Sequence, residues 1–181
     1  YKGMADYYNY NNVSVKVNES GILANSASFS FSPQLSRGNR INRIGGDSYV
    51  TDGPLAGTMN LTYYVDANSG DPFYMPDAKP GQTAFSIDVG GLKINSGYLT
   101  SYGWSSSAQG VFQVSASFDF FEDFNGSFAP TILEDEVWDW YKASDLTVSL
   151  AGIDVSSKIE SISYDESHSI EPMYDTSGLA R

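Results

Sequence analysis

The stretch that decides the fold reads Ser96-Gly-Tyr-Leu-Thr-Ser-Tyr-Gly-Trp-Ser-Ser-Ser107, then Ala-Gln-Gly110, then Val111-Phe-Gln-Val-Ser-Ala-Ser-Phe-Asp-Phe-Phe121. In its second arm an apolar side chain occupies every second position. These alternating residues are Phe112, Val114, Ala116, Phe118 and Phe120. Such a period of two is typical of a strand with one buried face. Gly110 lets the chain take a positive φ and reverse, so the stretch predicts a long β-hairpin.

The same alternation recurs on both sides of this hairpin and predicts further strands. They lie at Val13–Val17, Ala24–Ser32, Thr58–Val65, Ala84–Val89, Leu146–Leu150 and Ile159–Tyr164. About eight antiparallel strands place the chain in the all-β class. We expect a β-sandwich or a partly closed barrel with one short helix.

The domain organisation follows from where the alternation stops. Residues 1–12 are polar, aromatic and aperiodic, and predict a flexible N-terminal arm. Residues 13–174 form one β domain, residues 33–54 within it predict a long irregular loop, and 175–181 form a C-terminal tail.

One segment, about 132–143, has a helical signature. Thr131-Ile-Leu-Glu134 has capping-box spacing. The following residues place acids first and Lys142 late, an order that suits a helix dipole. The segment therefore predicts the one short helix.

Composition excludes several classes of function. With 22 acidic and 10 basic residues the net charge is −12, which repels nucleic acid and anionic membranes. The absence of cysteine excludes disulfides, zinc–thiolate sites and cysteine catalysis. No apolar run approaches the roughly 18 residues of a membrane-spanning helix.

Each candidate catalytic or metal-binding motif is better explained as an ordinary turn or a solvated surface. His168 is the single histidine and reads as solvated. The run from Asp66 through Asn68 and Gly70 to Asp71 lacks the distal Glu of a calcium loop and predicts an Asx-rich turn. Seven acids between Asp119 and Asp139 read as a solvated face. We therefore expect no catalytic, cofactor or metal site, and no enzyme activity.

Two clusters are candidates for subunit contacts. Arg37, Arg40 and Arg43 are three of the four arginines and fall within seven residues of the predicted loop. Their clustering in an acidic chain indicates a docking arm that pairs with carboxylates. The second cluster comprises the helix aromatics Trp138, Trp140 and Tyr141. Core packing against the sheet competes with docking for these rings, and Trp138 and Tyr141 share one helix face.

Several phrases resemble virion structural proteins of tailed bacteriophages, most closely the tail tube (major tail) proteins. They are Asp52-Gly-Pro-Leu-Ala-Gly-Thr58, Ser96-Gly-Tyr-Leu-Thr-Ser-Tyr102, Val114-Ser-Ala-Ser-Phe-Asp-Phe-Phe121, Gly126-Ser-Phe-Ala-Pro130, Ile159-Glu-Ser-Ile-Ser-Tyr-Asp165 and Ile170-Glu-Pro-Met-Tyr174. The resemblance implies a β-sandwich with a flanking helix, assembled as stacked hexameric rings around a DNA conduit. It also implies location in the virion, other tail proteins as partners, and DNA that passes the lumen without specific binding.

Two other functions remain open at this point. A ligand- or glycan-binding β-sandwich on a virion or cell surface would use Trp138, Trp140 and Tyr141 as stacking rings. A capsid decoration or neck protein would share the same sequence features.

Overall fold

The structure is a computed structural model, and it describes residues 13–31, 35–38, 48–51, 56–68, 70–73, 83–108, 110–122, 124–129 and 139–171. These residues contain twelve strands and no helix of seven or more residues. The strands are β1 (Val15–Val17), β2 (Ser20–Phe31), β3 (Leu35–Gly38), β4 (Ser48–Thr51), β5 (Gly57–Tyr64), β6 (Ala84–Val89), β7 (Leu92–Ser107), β8 (Gln113–Phe120), β9 (Asn125–Gly126), β10 (Ser149–Leu150), β11 (Ile153–Asp154) and β12 (Ser161–Ser167). None of the described helical turns is long and apolar enough to cross a membrane.

Six strands close into an antiparallel barrel. Their order is β7-β6-β1-β2-β5-β8, and β8 pairs back with β7. The all-β prediction is confirmed, and of the two predicted architectures the structure has the barrel, in closed form. Closure pairs β8 with β7. β2 pairs with β1 only at Ser20–Ile22, so from Leu23 to Phe31 it pairs with β5 alone among the described residues.

The central hairpin is confirmed as β7 and β8, and its inward face supplies the middle of the core. Val114, Phe118 and Phe120 have no exposed surface, and Ala116 retains 2%. The hairpin is longer than predicted, because β7 begins at Leu92. Its 16 residues exceed the eight of β8, so β7 continues past the end of β6 while it still pairs with β8.

Gly110 plays a different role from the predicted one. It is absent from the described residues with positive φ, so no left-handed backbone is needed there. A Cβ at this position would lie 2.5 Å from the Oγ of Ser107. Glycine is required by this close approach and not by the turn conformation.

The stretch 33–54 is more regular than predicted. Leu35–Gly38 and Ser48–Thr51 pair in antiparallel register as a separate two-stranded sheet. The loop prediction is therefore wrong for these eight residues, because the short segments carry too little alternation to be recognised as strands.

The predicted helix is wrong over its described part, residues 139–142. Tyr141 N donates to Val65 O at 3.1 Å, and Phe112 N donates to Tyr141 O at 2.9 Å. Trp140 and Lys142 form isolated bridges with Asp66 and Val111. The extended segment thus satisfies main-chain groups beyond the ends of β5 and β8, and this pairing overrides local helix propensity. The first part of the predicted helix lies outside the described residues.

The barrel mouth beside this segment is closed by residues 66–73. Phe73 is buried and packs its ring 4.8 Å from Phe118 and 5.2 Å from Phe85. Asp71 follows the turn and accepts hydrogen bonds from the hydroxyls of Tyr63 and Tyr102. The ring of Phe73 and the carboxylate of Asp71 therefore fill the barrel interior together.

Candidate assembly surface

The candidate functional surface is built on the outer half of β7, where the strand has left β6 but remains paired with β8. The strand β6 pairs with β7 only up to Tyr98. From Ser101 to Ser107 the same edge of β7 is taken over by β12, in unbroken antiparallel register. We call the outer half of β7 together with β12 the wing.

A row of aromatic rings stiffens the wing. Trp104 stacks on Tyr164 of β12 with ring centroids 6.0 Å apart, and on Phe112 at 5.0 Å. Phe112 in turn meets Tyr141 edge-on at 6.4 Å. Trp104, Phe112 and Tyr141 also pack against the barrel core, so these aromatic pairs join β12 to the barrel. Tyr164 remains 43% exposed at the outer end of the row.

The outer edge of β12 is open in the part of the chain that the structure describes. Ala108 N donates to Glu160 O at 2.8 Å, and His168 N donates to Thr100 O at 2.7 Å. These bonds show that even-numbered residues of this ladder direct their main-chain groups toward β7. Because the direction alternates along an antiparallel strand, the N–H and C=O groups of Ser161, Ser163, Asp165 and Ser167 face away from the sheet.

This edge lacks three of the features that commonly protect edge strands from pairing. Its sequence, Ser161-Ile-Ser-Tyr-Asp-Glu-Ser167, contains two acids but no Lys or Pro, and its register with β7 has no bulge. Natural edge strands are commonly guarded by such features. The acids are engaged within the wing: Asp165 lies over Gly103, where a Cβ would come within 2.4 Å of its Oδ1. Glu166 accepts a hydrogen bond from the Tyr164 hydroxyl at 2.6 Å.

A small hairpin, β10–β11, lies in the chain just before the wing strand β12. Ala151 and Gly152 form its two-residue turn, with φ of +51° and +83°. The flanking Leu150 and Ile153 are paired across the hairpin and are 70% and 68% exposed. They have the largest exposed fractions among the exposed large hydrophobic residues of the described chain. We call Leu150–Ile153 the tip.

A pocket of about 250 Å³ lies between the wing and the segments that lead into and out of this hairpin. Its walls are aliphatic and hydroxyl side chains, including Leu146, Val148, Ile159 and Ile162. Ser106 of β7 also lines it and is 5% exposed. The Ser106 Oγ has no hydrogen-bond partner among the described residues. We call this cavity the serine pocket.

The structure describes only part of the predicted arginine cluster. Arg37 lies on β3, opposite Tyr49 of β4 in the backbone register. Arg40 and Arg43 lie outside the described residues. The docking-arm hypothesis therefore remains a prediction.

The predicted aromatic cluster is placed in part. Trp140 is half-buried and packs edge-on against Tyr64 at 5.2 Å. Tyr141 is half-buried and packs against the core. The core-packing alternative thus accounts for Tyr141. Trp140 instead contacts Tyr64 on the face of β5 that points away from the core, and Trp138 lies outside the described residues.

The candidate catalytic and metal-binding motifs form an ordinary turn and ordinary surface contacts. Asn68 N donates to Asp66 Oδ1 at 3.3 Å, which forms the predicted Asx turn. His168 contacts Glu166 through its Nε2, and hydrogen bonds from the Tyr164 hydroxyl and His168 hold the pKa of Glu166 below its usual value. No group of three or more potential metal ligands occurs among the described residues.

The buried hydrogen-bond network at the barrel mouth is the strongest electrostatic feature. Burial, followed by the charge and hydrogen bond of Asp71, raises the pKa of Tyr63 far above its usual value. The hydroxyl therefore stays protonated and donates to the carboxylate. This network is enclosed by the barrel, so it stabilises the fold instead of presenting a reactive group.

Comparison with models of known protein families gives no match, and comparison with curated protein sequences gives none either. The assembly surface therefore rests on geometry alone. The sequence did not single out Ser106, Leu150, Ile153 or the edge of β12. The absence of Lys and Pro from residues 161–167 can be seen in the sequence. It bears on strand pairing only if this strand lies at an edge, which the sequence does not show.

Proposed function

We propose that the chain is a structural subunit of a bacteriophage tail, of the tail tube type, that self-assembles through the open edge of β12. The observation that carries this proposal is the open row of main-chain donors and acceptors along Ser161–Ser167. Such an edge pairs readily with a strand of another chain. Because β12 is the terminal strand of the eight-stranded sheet among the described residues, this edge favours an assembly protein over an isolated monomer.

The phage assignment rests on the resemblance described above. Two of its phrases coincide with β7 and β8, which build the barrel wall, and a third overlaps β12. The net charge of −12 suits a conduit wall, because DNA slides past an acidic surface without adhering. In this proposal the copies form stacked rings around the DNA.

The test uses one substitution that blocks the edge without touching the barrel. Ser163→Pro removes an outward N–H and leaves every β12 hydrogen bond to β7 in place, since Ser163 directs its groups away from the sheet. Ser163→Ala is the matched control. We expect electron microscopy to show rings or tubes for the wild type and for Ser163→Ala, and none for Ser163→Pro.

Circular dichroism and thermal unfolding establish that each variant is folded. A wild-type chain that stays strictly monomeric at high concentration, without rings or tubes, refutes the proposed function. Rings that persist unchanged in a folded Ser163→Pro variant refute the role of this edge.

A further inference from the structure

The serine pocket lies beside the tip, and its aliphatic wall residues Leu146, Val148 and Ile159 remain partly exposed in it. The pocket volume of about 250 Å³ is several times the share of one water molecule, about 30 Å³. One ordered water therefore does not fill it, and its aliphatic walls favour an apolar occupant.

The chain itself carries an occupant with matching chemistry. The tip offers two exposed aliphatic side chains, Leu150 and Ile153, around an exposed turn. The walls of the pocket offer Leu146, Val148 and Ile159. Neither aliphatic side chain of the tip is in its own pocket, because both are about 70% exposed.

We propose that the tip of one copy docks into the serine pocket of a second copy, and that two copies exchange tips reciprocally. Val148, at the base of the hairpin, lines the pocket, and Leu150 is two residues, about 7 Å, further along the chain. If the second copy were related to the first by a translation of only this length, the two barrels would occupy the same space. A twofold rotation places the barrels on opposite sides and lets each copy give one tip and receive one.

This contact is distinct from the β12 edge and is tested separately from it. The Ser163→Pro variant is the suitable background, because strand pairing along β12 is blocked there. In that background we expect light scattering at high concentration to give a dimer of two 19.7 kDa chains. Adding Leu150→Ser and Ile153→Ser should weaken this dimer by at least about 1,000-fold, since four aliphatic side chains, two from each copy, lose their burial. Val111→Thr, at another exposed apolar position, is the control and should leave it unchanged.

Cross-linking gives a direct readout, because the chain has no cysteine. We expect a copy with Ile153→Cys and a copy with Ser144→Cys, on the pocket rim, to form a disulfide between chains. Ser20→Cys, exposed at the start of β2, should not react with the tip.

The outcomes separate this inference from the proposed function. Specific cross-linking between the Ile153→Cys and Ser144→Cys variants, with no rings formed by the wild type, supports tip exchange and counts against the tail tube. Rings without specific cross-linking, and with full insensitivity to the tip substitutions, overturn tip exchange and leave the tail tube standing. A monomer without cross-links overturns both.

Discussion

Asp71 is the residue on which the barrel mouth depends. Its two carboxylate oxygens accept from two buried tyrosine hydroxyls, and Oδ1 also accepts from Phe73 N at 3.0 Å. A carboxylate with three donors is held in place by charge-assisted hydrogen bonds. It thereby positions Phe73, whose ring fills the interior below it.

We expect Tyr63→Phe to lower the free energy of unfolding by about 1.5–3 kcal/mol, because a hydrogen bond to a charged group is lost. Urea denaturation at pH 7 measures this change. Tyr98→Phe is the matched control: its ring packs on Phe121 at 6.3 Å, and its hydroxyl makes no hydrogen bond among the described residues. The control should change stability by less than about 0.5 kcal/mol. Equal losses in the free energy of unfolding for the two substitutions would show that the hydrogen bond from Tyr63 to Asp71 does not stabilise the fold.

The pH dependence of this network follows from the raised pKa of Tyr63. Its folded pKa lies above its unfolded value, so the stabilisation is fully present below the unfolded pKa of about 10 and is lost as the pH rises further. The difference between wild type and Tyr63→Phe should therefore be constant from neutral to mildly alkaline pH.

At the scale of single elements, β10–β11 depends on a short chain of hydrogen bonds at its base. Ser156 Oγ accepts from Val148 N at 2.8 Å and donates to Asp154 Oδ1 at 2.6 Å. Ser156 N donates to the same oxygen at 2.9 Å. The side-chain bond first, and then the backbone bond, lower the pKa of Asp154 below its ordinary 3.8.

We expect Ser156→Ala to raise the pKa of Asp154 toward 3.8 and to speed amide exchange in the hairpin. The folded pKa of Asp154 lies below the unfolded one, so its stabilisation is full above the unfolded pKa and is lost as the pH falls through the folded pKa. Titration by NMR measures both quantities. Ser157→Ala, in the same turn but without these hydrogen bonds, is the control. An unshifted Asp154 titration in Ser156→Ala would contradict this account of the hairpin.

Elements were predictable from sequence where local alternation decides them. Val114, Ala116 and Phe118 alternate with polar residues, and β8 is a strand with those residues inside. The segment 139–142 shows the opposite case. Its charge order and the nearby capping box are local helix signals, but the unpaired main-chain groups of Val65 and Phe112 come from distant parts of the chain. No local pattern contains that information.

At the scale of the whole molecule, barrel closure and the exposed edge of β12 could not be predicted from the sequence, because both depend on contacts between distant parts of the chain. The barrel closes because β8 pairs with both β5 and β7, contacts that join positions far apart in the chain. The long β7 then leaves room for β12 beyond the end of β6, and only this geometry turns Ser161–Ser167 into an edge. The candidate assembly surface thus follows from the topology and could not be predicted from the sequence. The acidic net charge, in contrast, can be read directly from the composition.

Net charge shapes how copies approach one another. At −12 two chains repel, and any cluster of opposite sign becomes a natural point of first contact. Arg37, Arg40 and Arg43 form such a cluster in the sequence. Arginine pairs in bidentate geometry with carboxylates, and charge pairs at interfaces raise encounter rates more than affinity.

We expect replacement of all three arginines by Gln to leave the subunit folded while slowing assembly. The effect should shrink as salt is added, because the screening length falls from about 10 Å at 0.1 M to about 3 Å at 1 M. Light scattering over time at several salt concentrations measures the rates, and the ratio of wild type to variant should approach one at high salt. The control replaces Lys16, Lys93 and Lys158 by Gln, which changes the net charge by the same three units. Equal slowing in both variants would mean that general repulsion governs the rate. A ratio of one at every salt concentration would mean that the arginines make no contact during assembly.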